Sequence, residues 1–127
     1  MDIVGIGIDA TEIDRIADII ERYGDRFIHR VFTDGEIAYC RRRRTAAASF
    51  AARFAAKEAA MKALGTGHAL GVVWRNVEVV RTAGPPRLEL HGAAASRFAA
   101  LGGIKSVLTL THARDLALAH VILLGRG

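Results

Sequence analysis

Three features are scarce in this sequence, and each scarcity excludes a class of protein. A single cysteine, Cys40, among 127 residues allows no internal disulfide and, without a Cys or His at ligand spacing, does not suggest zinc. Aromatic residues make up 6% of the chain and form no ladder with Arg and Lys, which disfavours stacking on nucleic-acid bases. No apolar run is long enough to cross a membrane, and the first residues lack the basic start of a signal peptide. We therefore predict a cytoplasmic protein that binds neither nucleic acid nor membrane, with Cys40 as a packing residue.

Positive charge is what the chain has in excess. Lys and Arg number 18 against 13 Asp and Glu, which gives a formal net charge of +5. A basic protein attracts anions, but the charge alone does not distinguish nucleic acid, a phosphorylated small molecule and an acidic protein. With 51% hydrophobic residues, the chain is predicted to form one domain over residues 1–127.

The first half of the chain predicts one strand and three helices. Residues 2–10 alternate with the period of a strand whose glycines allow another backbone or a ligand to approach closely. Thr11 is expected to cap the first helix, and Thr33 and Glu36 have the spacing of a capping box at the start of the second. The longest helix is predicted at 47–64, before a Gly-Thr-Gly stop.

The second half predicts mainly strands. Two apolar runs on either side of the turn at 83–87 form a predicted hairpin. After a short helix, two longer runs at 106–111 and 116–124 have the composition of strands. Helices and strands do not alternate regularly, so the predicted class is α+β, with a mostly antiparallel sheet packed against the long helix and shorter helices around it.

The long helix carries a lysine on its apolar side. Phe50, Phe54, Lys57, Met61 and Leu64 recur at steps of four and three, the spacing of a core-facing stripe. An unpaired buried ammonium costs several kcal/mol. Lys57 must therefore either extend its ammonium to the surface or meet an anion.

The other charges of this helix suggest a metal and phosphate site, although a simpler interpretation is open. Glu58 and Lys62 stand one turn apart and would also suit an ordinary surface ion pair. With Arg53 and Lys57 included, three cations around one carboxylate suit a phosphate-rich ligand whose metal ion Glu58 holds. Asp9, at the end of the first strand, is either the second carboxylate of a Mg²⁺ site or a turn residue.

The five histidines divide into one candidate and four structural residues. His112 follows Thr111 at the end of a strand, where it is either functional or an exposed structural residue. The others have no spacing that favours a site and are interpreted as structural: His29, His68, His91 and His120.

Three segments in a fixed order resemble a known family. GIGIDATEIDR, RFAAKEAAMKALGTG and LTHARDLALA are together similar to the holo-acyl-carrier-protein synthases, the small bacterial 4'-phosphopantetheinyl transferases, over nearly the whole chain. The resemblance implies transfer of 4'-phosphopantetheine from coenzyme A to a serine of apo-acyl carrier protein, with Mg²⁺ and release of adenosine 3',5'-bisphosphate, for fatty acid biosynthesis. It also implies a homotrimer with active sites at the subunit interfaces.

The resemblance also implies roles for single residues. Asp9 and Glu58 would bind the metal, and Lys62 would complete the catalytic set. The residues implied at the phosphates and nucleotide of coenzyme A are Arg53, Lys57, Lys62, Gly65, Thr66, Gly67, Pro86, Arg87 and His112, of which Pro86 and Arg87 would reach across from a neighbouring subunit. The residues implied in docking the acidic carrier protein are Arg15, Arg22, Arg26, Phe27, Ile28 and Arg30.

Two questions stay open at this point. The serine proton passes either to Glu58 or to a metal-bound water assisted by Asp9 or Glu36. A trimer that serves only as a scaffold is the alternative to an enzyme, and loss of assembly alone in a Glu58→Ala variant would favour it.

The run Arg41–Arg44 is interpreted as an exposed helix end.

Overall fold

The computed structural model describes residues 1–126, which form five α-helices and five strands. The helices are α1 (Ile13–Tyr23), α2 (Asp25–Val31), α3 (Asp34–Arg41), α4 (Ala46–Leu64) and α5 (Gly92–Ala100). The strands are β1 (Asp2–Glu12), β2 (Val77–Val80), β3 (Arg87–Leu90), β4 (Gly103–Ala113) and β5 (Leu116–Gly125). Across residues 1–126, no helix combines the length and the apolar character that a bilayer crossing requires.

The strands form two antiparallel sheets. β1, β5 and β4 pair in that order, so β1 and β4 are the two edges of a three-stranded sheet. β2 and β3 form the predicted hairpin. β4 and β5 extend beyond their predicted ends because the pairing between them continues there, with an irregularity between Gly103 and Lys105.

Helix α4 is the central element of the fold. From Phe50 to Leu64 every residue is buried except Glu58 and Lys62. Seven alanines of this stretch let neighbouring elements pack closely against several faces of the helix, and both hydrophobic clusters of the protein include residues of α4. The two residues that stay accessible are one turn apart, on a narrow strip that is open to solvent.

Strand β1 lies in direct contact with α4, as its glycines predict. A Cβ atom at Gly7 would stand 1.9 Å from the carbonyl oxygen of Ala59, and one at Gly5 would stand 2.1 Å from that of Ala63. Toward its C-terminus β1 therefore passes earlier turns of α4. This antiparallel course carries Asp9 toward the turn that bears Glu58.

Thr11 does not cap a helix, and this prediction is wrong. Thr11 is buried within β1, where it pairs with Ala117, and its hydroxyl donates to Asp9 Oδ2 at 2.8 Å. Helix α1 begins at Ile13, and Glu12 makes no side-chain capping bond to it. Strand β1 extends beyond its predicted end at residue 10 because its pairing with β5 continues through Glu12.

The capping box of α3 is confirmed. The hydroxyl of Thr33 accepts from the N–H of Glu36 at 3.2 Å, and the N–H of Thr33 donates to Glu36 Oε1 at 2.9 Å. The segment just before it forms α2, whose Ile28 and Val31 are buried beside Phe32.

The face of the three-stranded sheet that points away from α4 is apolar and open. Ile6 and Ile8 of β1 are 58% and 61% exposed, and Val107 of β4 is 40% exposed. The register aligns Ile6 and Val107 with Ile122 of β5, and aligns Ile8 with His120. Contiguous exposed apolar residues of this kind mark an interaction surface.

Candidate active site

Asp9 and Lys62 meet at the β1 edge of the sheet, one helical turn from Glu58. Lys62 Nζ lies 2.9 Å from Asp9 Oδ1 and donates to the carbonyl oxygen of Ile8 at 3.0 Å. Thr11 holds the other oxygen of Asp9. Glu58 precedes Lys62 by one turn on the open strip of α4. The site therefore presents two carboxylates and an ammonium from two elements that pack directly on each other.

His68 also reaches this site, although its sequence position gives no signal for it. Its Nε2 lies 3.3 Å from Glu58 Oε2. The chain returns to Glu58 because Gly65 and Gly67 adopt positive φ angles of 74° and 53° directly after α4, a region that favours glycine. We call Asp9, Glu58, Lys62 and His68 the carboxylate cluster.

The carboxylate cluster fits a hard divalent cation. Mg²⁺ takes one or two protein carboxylates and completes its shell with phosphate oxygens and water. The side chains of Asp9 and Glu58 are 18% and 26% exposed, so their oxygens are held by the fold yet remain accessible. Lys62 already places one positive charge against Asp9.

A separate group of possible ligands lies on the hairpin. Within residues 1–126, Glu78, Glu89 and His91 are the one set of three such side chains whose donor atoms lie within 4.8 Å of one another. His91 Nε2 is 2.9 Å from Glu78 Oε1, and Arg87 pairs with Glu89 at 3.0 Å. These charges are already matched, and none of the three residues belongs to the carboxylate cluster.

A second, strongly cationic site surrounds Arg53. A cavity of about 340 Å³ is lined by nine residues, including Tyr39, Arg43, Arg53, Arg81 and His112, which we call the arginine pocket. Arg53 is 4% exposed, and its guanidinium lies 4.0 Å from the centroid of the Tyr39 ring. Its Nε has no hydrogen-bond partner within residues 1–126. A buried, unpartnered guanidinium N–H is costly, and the three arginines give the arginine pocket a charge that attracts anions.

Three members of the arginine pocket were missed in the sequence. Arg43 belongs to the run interpreted as an exposed helix end, but it lines the cavity. Arg81 directly follows β2, and its Nε donates to the carbonyl oxygen of Gly84 at 3.1 Å. Tyr39 has no motif around it. All three depend on how α3, α4 and the hairpin pack, which local spacing does not contain.

The prediction that Lys57 binds the phosphates of coenzyme A is wrong. Lys57 is fully buried, and its ammonium lies 2.6 Å from Glu36 Oε1. It also donates to the carbonyl oxygens of Trp74, at 3.1 Å, and Val77. Burial lowers the pKa of Lys57 from its ordinary value of 10.5, while the charge and hydrogen bond of Glu36 oppose that shift. The anion that Lys57 requires is therefore Glu36.

The geometry of α4 explains why its three cations do not share one site. At 3.6 residues per turn, Arg53 and Lys57 lie on one face of α4, and Glu58 lies about 140° around the axis from Arg53. The three cations consequently do not surround one carboxylate. Only Lys62 shares the face of Glu58.

Glu36 is likewise not available as a base. It is 1% exposed, and its carboxylate accepts from the N–H groups of Thr33 and Val79 at 2.9 and 2.8 Å besides pairing with Lys57. Glu36 therefore cannot assist in removing the proton from the serine. Cys40 is fully buried, as its predicted packing role requires, and burial raises the pKa of its thiol to about 11.

The Gly-Thr-Gly turn ends α4 with its own amides. The N–H of Gly65 donates to the carbonyl oxygen of Lys62, and those of Thr66 and Gly67 donate to that of Met61. At these three positions the turn therefore has no free N–H group for a ligand, and Thr66 is itself buried. Pro86 is partly exposed and Arg87 exposed at the start of β3, apart from the carboxylate cluster.

The predicted docking residues are exposed except for two. Arg15 and Arg22 of α1 line a groove of about 760 Å³ together with four carboxylates, Glu12, Asp14, Asp18 and Glu21. Arg26 and Arg30 are exposed. Ile28 is 4% exposed in the core, so its assignment to docking is wrong. Phe27 is half-buried, with its ring centroid 6.0 Å from that of Phe32.

The carboxylate cluster and the arginine pocket lie at opposite edges of the same sheet. The register aligns Asp9 of β1 with Ala119 of β5, and Ala119 with Leu110 of β4, which lines the arginine pocket. Two strand spacings, about 10 Å, separate β1 from β4. None of Asp9, Glu58 and Lys62 lines the arginine pocket.

Known proteins share this sequence and fold over nearly the whole chain. A sequence model of the 4'-phosphopantetheinyl transferase superfamily matches residues 5–120. A holo-[acyl-carrier-protein] synthase of Solibacter usitatus is 55% identical over 124 residues, which are 95% of this chain and 98% of that protein. The crystal structure of holo-[acyl-carrier-protein] synthase from Neisseria meningitidis is 31% identical with a TM-score of 0.88, over 96% of this chain and 98% of that chain. The Bacillus anthracis enzyme, in complex with CoA (3',5'-ADP), is 33% identical with a TM-score of 0.78, over 95% and 96% of the two chains.

The chain belongs to the 4'-phosphopantetheinyl transferase superfamily. The proteins described above that it matches over nearly their full lengths are holo-[acyl-carrier-protein] synthases. The resemblance seen in the sequence and the predicted α+β class are both confirmed.

Proposed function

We propose that this enzyme transfers 4'-phosphopantetheine from coenzyme A to a serine of apo-acyl carrier protein and releases adenosine 3',5'-bisphosphate. The observation that carries the proposal is the pairing of two accessible carboxylates, beside Lys62, with a separate buried-arginine anion site. Coenzyme A has two anionic centres of this kind, a pyrophosphate and a 3'-phosphate. The carboxylate cluster suits the pyrophosphate through a divalent ion, and the arginine pocket suits the 3'-phosphate.

The chemistry requires positioning and charge stabilisation more than a protein nucleophile. The serine oxygen forms a bond to the β-phosphorus, and the bridging P–O bond breaks, with its electron pair leaving on adenosine 3',5'-bisphosphate. Asp9 and Glu58 would hold Mg²⁺, which when bound neutralises charge on the pyrophosphate. Lys62, 56% exposed, is free to turn its ammonium from Asp9 to a phosphate oxygen. Glu58 takes the serine proton directly or through a water.

The active form is a homotrimer in which each site is completed by two copies. Both edges of the three-stranded sheet carry half of the required groups, and the sheet face beside them is apolar and exposed. A head-to-tail contact that repeats around a closed ring joins the β1 edge of one copy to the β4 edge of the next. Such a contact covers Ile6 and Ile8 and brings Asp9 and Glu58 of one copy near Arg53 of its neighbour. Pro86 and Arg87 would reach the nucleotide of a neighbouring copy.

The carrier protein docks on the face formed by α1 and α2. Arg15, Arg22, Arg26 and Arg30 are exposed there, and an acidic helix is the complementary partner. Four carboxylates, Glu12, Asp14, Asp18 and Glu21, line the same groove as Arg15 and Arg22, so the groove carries a net negative charge. An acidic helix must therefore contact the arginines individually, and geometry must contribute to selectivity as well as charge.

Mass spectrometry of apo-acyl carrier protein tests the proposed reaction. With enzyme, coenzyme A and Mg²⁺, the carrier should gain the mass of phosphopantetheine. Glu58→Gln and Asp9→Asn should lose at least about 100-fold in rate, because each removes a charge that acts on the phosphoryl group. Both variants should keep their circular dichroism spectrum and their oligomeric state.

Asp34→Asn is the matched control. Asp34 is an accessible carboxylate outside the carboxylate cluster, so its neutralisation should leave the rate within about twofold of the parent. Absence of any mass gain with several carriers would reject the enzymatic function. Variants at Glu58 that lose assembly but nothing else would favour a scaffold instead.

A further inference from the structure

A groove of about 520 Å³ opens directly beside the carboxylate cluster. Six residues line it: Arg30, His68, Val72, Val73, Trp74 and Arg75. His68 also lies 3.3 Å from Glu58, and Arg30 belongs to α2. The groove, whose volume is typical of a ligand pocket, therefore reaches from the carboxylate cluster to α2.

The wall of this groove is apolar and rigid. Trp74 packs between Phe54 and His68, with ring centroids 6.2 and 4.5 Å from its own. Its carbonyl oxygen accepts from the buried ammonium of Lys57, so its backbone is fixed as well. None of the six lining residues is acidic. The groove thus suits an elongated ligand that has apolar groups and no positive charge.

The loop beside the groove keeps two large apolar side chains in solvent. Leu70 is 71% exposed at a positive φ of 58°, and Val73 is 53% exposed. A bulky residue rarely adopts such a φ angle. The loop is closed by its own hydrogen bonds, from the N–H of Ala69 to the carbonyl oxygen of Thr66 and from the N–H of Val72 to that of Ala69. Exposed apolar side chains on a strained, ordered loop are typical of a binding site.

We propose that this groove holds the pantetheine arm of coenzyme A, an inference that rests on the proposed function. The arm is attached to the β-phosphate, which lies at the carboxylate cluster in the proposed reaction, so its path begins beside Glu58 and His68. The arm is uncharged. Its two methyl groups suit Val73 and Trp74, and its amide oxygens can accept from the guanidinium of Arg30.

The first test uses Trp74 as a reporter, because it is the only tryptophan of the chain. Saturating coenzyme A with Mg²⁺ should change the fluorescence of the full chain. Adenosine 3',5'-bisphosphate, which lacks the arm, should change it much less at saturation. Equal responses to the two ligands would overturn the inference, as would no response to coenzyme A whose binding calorimetry detects.

The second test measures both affinities by calorimetry in Val73→Asn, which makes the wall polar without adding charge. The Kd for coenzyme A should rise about fivefold, because a half-buried valine contact is lost. The Kd for adenosine 3',5'-bisphosphate should stay within about twofold of the parent. Ile104→Asn is the matched control, since Ile104 is 52% exposed on β4 at the end of the sheet away from Asp9. It should change neither affinity.

The remaining outcomes separate the groove from the proposed function. Equal weakening of both ligands by Val73→Asn would reject the assignment to the arm. A raised KM for the carrier protein with unchanged coenzyme A affinity would assign the groove to the carrier instead. If the parent modifies the carrier but Trp74 does not respond, only the groove assignment is wrong. If the parent modifies no carrier, the proposed function is wrong and this inference falls with it.

Discussion

The buried pair of Lys57 and Glu36 joins three elements through two side chains. Lys57 extends from α4 to the carbonyl oxygens of Trp74 and Val77, and Glu36 extends from α3 to the N–H of Val79 at the hairpin. Each charge is desolvated, and each is matched by the other and by backbone groups. The pair thereby fixes the platform on which both candidate sites are built.

Lys57→Met should lower the free energy of unfolding by about 3–5 kcal/mol, because it leaves the Glu36 carboxylate buried without its counter-charge. Urea denaturation measures the change. Adding Glu36→Gln to Lys57→Met should recover part of the loss, since the uncompensated charge is removed. A matched control is Lys62→Met, whose partly exposed ion pair should contribute less than about 1 kcal/mol. If Lys57→Met weakened coenzyme A binding without loss of stability, the phosphate role rejected above would return.

The helical spacing of α4 did not identify Glu36 as the partner of Lys57. The period of α4 correctly places Lys57 on the buried side and states that an anion must meet it. The identity of that anion depends on α3 packing against α4 21 residues along the chain, so sequence spacing did not distinguish Glu36 from a phosphate. Asp9 and Glu58 were easier to recognise, because a family motif marks each of them.

Among the elements, the hairpin is tied to α3 by Glu78. Thr33, the cap of α3, donates to Glu78 Oε2 at 2.7 Å, and His91 lies against the other oxygen. Partial burial acts to raise the pKa of Glu78, but the bonds from Thr33 and His91, together with the charge of His91, outweigh it, so the pKa lies below the ordinary 4.5. The carboxylate is therefore a pH-dependent link between α3 and β2.

A depressed carboxylate pKa contributes stability above the ordinary pKa and loses it as the pH falls through the lowered value. The free energy of unfolding of Glu78→Gln should therefore differ most from that of the parent near pH 7, and the difference should shrink below pH 4.5. Acid titrations followed by circular dichroism at fixed urea concentrations measure it. Glu89→Gln, on the facing strand position, is the comparison that should show a smaller pH dependence. A difference that stays constant down to pH 2 would contradict the link.

Helices and strands with a strong local sequence signal were predicted correctly, but the residues at which the strands end were not. The capping box at Thr33 and the glycines of β1 each contain the physical reason for the structure they form. Thr11 has an equally good capping residue type, but pairing of β1 with β5 continues past it. That pairing joins residues more than 100 positions apart, and no window of local sequence includes it.

At the scale of the whole molecule, the two candidate sites lie at opposite edges of the three-stranded sheet. The carboxylate cluster and the arginine pocket face different sides of α4, so a copy on its own presents them apart. The sequence grouped Arg53 with Glu58 at one site, whereas the helix places them on different sides of α4. The spacing of residues along one chain does not predict contacts between copies of that chain.

Mixing two inactive variants tests whether copies share sites. Glu58→Gln and Arg53→Gln damage different halves, so after joint refolding at equal amounts about a quarter of the sites in a closed ring contain both intact halves. Activity in the carrier assay should therefore return to about a quarter of the parent value. Unmixed variants refolded separately and then combined on ice are the control. If joint refolding restores nothing while trimers form, both halves act within one copy.

In the proposed trimer, a site assembled from neighbours would make enzyme abundance part of the regulation. Upon strong dilution the proposed ring would dissociate, and each separated copy would lose the groups that its neighbour supplies. Specific activity would then fall with protein concentration, and a cell that lowers expression would lose more catalysis than protein.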